Sequence, residues 1–170
     1  MIIGDKSTFA FDIDDKEIGA KILTVDIVID NQYVCYADNS AYVPQLIASM
    51  QGDVERILQK DWSKYVQYFE RKSITEIYEF IFRTRIPETD EYDIEDDNIY
   101  PFYNFLNWGP TTDNLSCFII PHHDSFFLTY QFLDTEHLIA SGKAAIQSIP
   151  VNLSDLVSII NEAIAVLKQK

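Results

Sequence analysis

The chain has 170 residues and a formal net charge of −14 at neutral pH, from 13 lysines and arginines against 27 aspartates and glutamates. Hydrophobic residues make up 47%, too many for a disordered chain, and the length fits a single domain. The acidic balance weighs against direct nucleic-acid binding, which needs clustered Lys and Arg. No apolar run approaches the roughly 20 residues of a membrane helix. Residues 1–15 show neither a basic n-region nor a long apolar h-region, so no signal peptide is expected.

Residues 7–13 alternate small or polar groups with Phe9, Phe11 and Ile13, the period of a strand with one buried face. Residues 21–29 form a second predicted strand, rich in β-branched side chains: Ile22, Val25, Ile27, Val28 and Ile29. Asp30-Asn31 tolerates turn geometry, and 32–37 resumes as a third strand, giving an N-terminal antiparallel meander. Asp38, Asn39 or Ser40 is the expected cap of a helix in which Leu46, Ile47, Met50, Val54, Ile57 and Leu58 recur at helical spacing, with Gly52 as a point where it can split. Asp61 opens another helical stretch, with Trp62, Tyr65, Val66 and Phe69 on one side. Ser73-Ile74-Thr75-Glu76 has the form of a capping box. The helix after it carries Ile74, Ile77, Tyr78, Ile81 and Phe82 on its core stripe, Arg83 and Arg85 in its last turn, and Pro87 as its stop.

Residues 86–142 contain no lysine or arginine and eleven acids, so this middle third supplies −11 of the net charge. Seven of those acids fall within 87–98, and the aromatic run Tyr100, Phe102, Tyr103, Phe105 and Trp108 follows at once, ending at the break Trp108-Gly109-Pro110. The stretch 87–110 reads as an insertion-like segment. One reading is a solvated loop beside ordinary core aromatics. The functional reading is a partner-binding surface of Glu88, Asp90, Glu91, Tyr92, Asp93, Glu95, Asp96, Asp97, Tyr100, Tyr103 and Trp108, whose acids steer a basic partner and whose rings supply rigid contact area.

Residues 116–120 and 126–133 are two predicted strands joined as a hairpin across 121–125, with a third strand over 143–149. Asn152 caps a final helix, with Asp155 placed to answer it, on which Leu153, Leu156, Val157, Ile160, Ala163, Ile164 and Leu167 form an apolar stripe. Strands, then helices, then strands and a helix give an α+β class.

His122, His123 and Asp124 are the side chains that come nearest to a metal or hydrolytic centre, and a small metal-binding or hydrolytic domain is the alternative functional reading. Adjacent strand residues point to opposite faces, so the spacing favours an exposed turn over a ligand set. The acids at 93–97 lack the alternation, glycine and distal glutamate of a calcium loop. Cys117 lies among Phe118, Ile119 and Ile120 and reads as a small buried hydrophobe. No phosphate loop, nucleophile elbow or zincin motif is present. No catalysis, cofactor or resident metal is expected, and the oligomeric state is open.

The opening Ile2-Ile3-Gly4-Asp5-Lys6-Ser7-Thr8-Phe9-Ala10 resembles the start of the immunity protein 42 family of bacterial polymorphic toxin systems. In that family a Gly-Asp pair precedes a Phe-Ala strand, followed by a hairpin and a short helix. Residues 28–36 and 46–58 follow that order, as do 116–120, 126–133 and Ile149-Pro150 leading into the last helix. The resemblance covers both ends, about half the chain, and leaves 60–110 uncovered. It departs at the second hairpin, where the family has a Trp and an Asn-Gly turn and this chain reads Ile29-Asp30-Asn31-Gln32. The resemblance implies a cytoplasmic, non-catalytic protein that binds and neutralises a cognate toxin.

Overall fold

Gly4 and Asp5 show how local chemistry starts the fold of this chain, whose computed structural model describes residues 1–14, 16, 18–35, 39–85, 98–136 and 145–169. β1 (Ile2–Gly4) pairs antiparallel with β2 (Phe9–Ile13), and Gly4 sits opposite Ala10 at φ 94°. A Cβ at Gly4 would lie 2.5 Å from the Phe9 carbonyl oxygen and 3.0 Å from Ile159, so only glycine fits. The Asp5 carboxylate then accepts from the Ser7 amide (2.8 Å) and hydroxyl (2.7 Å), which closes the turn. These bonds hold the Asp5 carboxyl below its ordinary range.

β2 continues into β3 (Ile22–Ile29), and β4 (Gln32–Tyr33) follows through Asp30 and Asn31, both left-handed at φ 50° and 61°. That is the backbone a two-residue hairpin turn of the right twist requires. Two expectations need correction here. The third strand stops at Tyr33, and a further strand, β5 (Ser40–Tyr42), returns to pair with β3. The helix cap is therefore not Asn39 or Ser40: Asn39 donates to the Asp26 carboxylate, and α1 (Val43–Gln59) starts from Tyr42 with a proline in its first turn. Asp38 lies outside the described residues. α1 runs unbroken through Gly52.

The stretch after Asp61 is also not an α-helix. Asp61 accepts from the Ser63 amide and hydroxyl, Tyr65 turns left-handed at φ 72°, and only a 3-10 helix, Val66–Phe69, follows. α2 (Ile74–Arg83) has the predicted capping box: the Ser73 hydroxyl accepts from the Glu76 amide (3.3 Å), and Glu76 accepts from the Ser73 amide (2.7 Å). The expected stop at Pro87 lies outside the described residues. α3 (Ile99–Tyr103) leads into β6 (Asn104–Phe105).

β6, β7 (Leu115–His122), β8 (Ser125–Phe132) and β9 (Ile146–Val151) form the second antiparallel sheet in that order. His122 pairs with Ser125, so the loop is only His123-Asp124 and the closing pair exchanges both backbone bonds. Bonding alternates from there: Phe126 and Leu128 turn their amides to β9, and Phe127 to β7. Pro121 faces Phe126 and Pro150 faces Phe127, so neither missing N–H interrupts a bond to β8. Pro150 instead takes a donor from the outer edge of β9. α4 (Leu153–Leu167) follows, capped by Asn152, whose side chain accepts from the Ser154 and Asp155 amides.

Two hydrophobic clusters lie on either side of the second sheet. The larger joins the inner face of the first sheet, α1 and α4 to Cys117, Ile119, Leu128, Tyr130 and Phe132. The smaller packs Phe118 and Ile120 against α2, α3 and the 3-10 helix. Alternate residues of β7 thus enter different cores, which is why 115–120 is buried without a break. Cys117 is a buried free thiol pushed up in pKa by that burial, and no disulfide joins it to Cys35.

Candidate functional site

The acidic residues Glu88, Asp90, Glu91, Asp93, Glu95, Asp96 and Asp97, with Tyr92, lie outside the described residues. Their flanks are described. Arg85 follows the end of α2, and Asn98 precedes α3. Tyr100, one residue into α3, is partly buried, with its ring set edge-on to Phe118 at 5.4 Å and the Arg85 guanidinium 6.0 Å from its centroid. Of the aromatic contact residues expected from the sequence and described, Tyr100 alone reaches the surface.

Tyr103 and Trp108 correct the expectation of an aromatic interface. Tyr103 is 0% exposed and Trp108 3%, so neither ring offers contact area. Each buries a large apolar body and satisfies one polar tip. The Tyr103 hydroxyl donates to the Lys64 carbonyl at 2.8 Å, and burial pushes its pKa up. The Trp108 indole stacks on Phe11 (5.8 Å, 3°) and donates its N–H to Asp53 at 2.7 Å.

Asp53 organises this part of the chain and was not singled out from the sequence. It sits on the buried stripe of α1, 2% exposed, between Met50 and Ile57. Its carboxylate accepts from the Leu106 amide (3.3 Å) and the Trp108 indole, and it pairs with the Arg56 guanidinium. Burial lowers the Arg56 pKa. A carboxylate with these donors is a fixed anchor that holds 106–108 onto α1. The available signal was an acid in register with an apolar helical stripe.

Lys60, just past α1, is a second anchor. Its ammonium lies over the rings of Trp62 (4.5 Å) and Phe102 (4.7 Å) and donates to the Phe102 carbonyl. Burial, helped by the charge of Arg56, pulls its pKa down to about 8. Asp53 and Lys60 thus fix both sides of the α3–β6 segment, which fixes the downstream root of the acidic stretch.

A polar cavity of about 280 Å³ opens at that root, with Arg85, Tyr100, Asn104, Asn107, Asp113 and Ser116 among its lining residues. The Ser116 hydroxyl is buried and makes no hydrogen bond among the described residues. The cavity suits one polar side chain better than a drug-sized ligand.

His122 and His123 lie elsewhere, at the tip of the β7–β8 hairpin, with ring centroids 4.2 Å apart. His122 Nε2 is 3.2 Å from the Lys72 carbonyl, which only accepts, so that nitrogen carries the proton. Among the described residues no group of three His, Cys, Asp or Glu side chains converges as a metal site.

No protein-family model matches the chain, and no curated protein matches it in sequence. Its fold is similar to the crystal structure of CdiI from Burkholderia dolosa, with a TM-score of 0.64 over 97% of this chain and 99% of that one, at 12% sequence identity.

Proposed function

We propose that this chain is an immunity protein that binds a cognate bacterial toxin and neutralises it by protein–protein contact, without catalysis. The observation that carries the reading is the fold: CdiI is an immunity protein of contact-dependent inhibition toxin systems, and the likeness spans nearly the whole of both chains. The resemblance of residues 2–10 to the immunity protein 42 family supports the same class from an independent feature and is the finer assignment proposed.

In this reading the partner is a basic toxin domain that meets the chain in the cytoplasm. The acids from Glu88 to Asp97 steer it, and Tyr100 at their root contributes contact. The charge distribution supports this: eleven acids and no lysine or arginine over 86–142 set up a one-sided field that accelerates encounter with a cationic surface.

The test is co-expression with the product of the adjacent upstream gene. A large secreted protein with a variable C-terminal domain that co-purifies with this chain, and whose toxicity the chain relieves, is the expected outcome. A metabolic enzyme at that locus with no co-purification would sink the reading. With the toxin domain in hand, replacing Asp93, Glu95, Asp96 and Asp97 by lysine is expected to slow association by roughly tenfold or more at low salt and to flatten its salt dependence. Unchanged kinetics would place the contact surface elsewhere.

A further inference from the structure

Among the described strands at the margins of the two sheets, β9 alone is long. β1 has three residues, β4 two, β5 three and β6 two, whereas β9 has six. Short edges keep unpaired backbone from joining another chain, and charged side chains along an edge do the same. β9 has neither guard. Residues 144–154 carry no charged side chain, and neither do residues 125–133, which hold the adjacent β8. In a chain of net charge −14 this margin of the second sheet is locally neutral. Pro150, near the end of the strand, is its one partial block.

The register with β8 decides which groups face out. Gln147, Ile149 and Val151 turn their backbone groups to β8, so Ile146, Ser148 and Pro150 turn theirs away. Among the described residues no hydrogen bond reaches the outward amides of Ile146 and Ser148, or the outward carbonyls of Ile146, Ser148 and Pro150. Ser148 and Pro150 are exposed. The Ser148 hydroxyl lies 3.0 Å from Thr129 Oγ1, so the side chain is engaged within the sheet while the backbone is open. Donors and acceptors in this alternation match another extended backbone.

We propose that β9 pairs antiparallel with β9 of a second copy of this chain, about a two-fold axis at Ser148, joining two four-stranded sheets into one of eight strands. The edge is self-complementary in this register. Ser148 exchanges both backbone bonds with its counterpart, and the Ile146 amide donates to the Pro150 carbonyl of the other copy. The Ile146 carbonyl gains no donor, because Pro150 has no N–H. Each copy has one long edge, so the pairing closes at two copies.

Charge selects the occupant. Two copies of this acidic chain repel, and an uncharged margin is where they can meet. The strand order puts the α3–β6 segment, the root of the acidic stretch, at the opposite margin. In the joined sheet the two roots stand seven strand spacings apart, roughly 34 Å, several times the screening length of about 8 Å at physiological salt. A basic partner gains no electrostatic attraction from an uncharged edge. The inference does not depend on the immunity reading, since it concerns the free protein and another surface.

The test is sedimentation of the full chain from roughly 1 to 500 micromolar, the range in which an interface smaller than the standard size dissociates. A reversible passage from monomer to dimer is expected. Hydrogen exchange at the Ile146 and Ser148 amides should be slower at the highest concentration than at the lowest, with Gln147 and Ile149 unchanged. Ser148→Pro removes an outward donor and no bond to β8. Ser148→Lys sets two ammonium groups against each other across the axis. Each is expected to weaken dimerisation by roughly tenfold or more. Ser148→Ala, which loses the Thr129 contact but keeps the backbone, should dimerise like the parent. Ser148→Lys alters no backbone group, so it decides the matter if Ser148→Pro fails to fold. A monomer at every concentration, a dimer that the lysine variant leaves intact, or protection confined to other residues would each overturn the proposal. Protection of Ser148 that appears only on adding the toxin domain would overturn it too, and would assign the edge to a strand of the toxin.

Discussion

The two sheets of this molecule solve burial differently. The first packs Phe9, Phe11, Ile13, Leu23, Val25, Ile27 and Ile29 into the large core and turns Asp12, Asp26 and Ile22 outward. The second is covered on both faces, so β7 puts Cys117 and Ile119 into one core and Phe118 and Ile120 into the other. A one-sided sheet tolerates change on its outer face, whereas a two-sided sheet has no neutral face along its central strands. Substitution is therefore expected to be tolerated at exposed outer-face positions of the first sheet such as Ile22, but not at Ala10 and Val28, which share that face and are 0% exposed.

The largest effect is expected at the face that only the second sheet buries. Phe118 is fully buried against Tyr78 (5.0 Å) and Tyr100, and Phe118→Ala should cost about 3–5 kcal/mol in chemical unfolding. Ile22→Thr, on the open face of β3 at 63% exposure, should change stability by no more than about 0.5 kcal/mol. Similar costs at the two sites would erase the distinction between the sheets.

A smaller loss is expected where the sheets meet. Trp108 stacks on Phe11 of the first sheet and stands edge-on to Phe105 of the second, and Asp53 holds it there. Asp53→Asn keeps the shape but removes the charge from a buried acceptor, and should cost about 1–3 kcal/mol. Faster solvent exchange of the Trp108 indole proton is expected to accompany that loss. A stable variant with a protected indole would show that packing alone aligns the seam.

The smallest effect is on the open face, and its sign is reversed. Asp26 lies directly opposite Asp12. Burial raises its pKa, the Asn39 bond lowers it, and the charge of Asp12 raises it again. A carboxyl raised in the folded state favours folding below its unfolded pKa, and that contribution is lost as pH rises through the folded value. Asp26→Asn should therefore stabilise the protein by about 0.2–1 kcal/mol at neutral pH, with the gain shrinking as the pH falls into the carboxylate range. Melting curves across that range check it, and a pH-independent difference would assign the effect to the Asn39 hydrogen bonds.

What sequence conveyed well was local. The Ser73–Glu76 box and the Asn152 cap depend on side chains a few residues apart; the box formed as read, and Asn152 caps its helix, although Asp155 joins through its backbone amide and its side chain does not answer. The alternation of Phe9, Phe11 and Ile13 needs only a strand with one buried face. The failures share the opposite character. β5 exists because a distant strand, β3, accepts it, and no periodicity in three residues announces that. The apolar residues after Asp61 fit a helical stripe, but an Asx turn and left-handed Tyr65 break the helix. Tyr103 and Trp108 read as exposed or buried with equal ease until the partners of their polar tips, Lys64 and Asp53, are placed. The acidic stretch was plain in the sequence as charge, and its proposed role continues to rest on charge.

Gly4 links this architecture to the order of synthesis. Its missing side chain makes room for Ile159 of α4, roughly 150 residues away along the chain. At about 5–20 residues per second, the ribosome leaves on the order of ten seconds between the two. During that interval the first hairpin has no α4 to rest on, and its core-facing phenylalanines wait for their partners. The nascent chain is thus at its most vulnerable early, and the closing helix acts as the latch that ends the exposure.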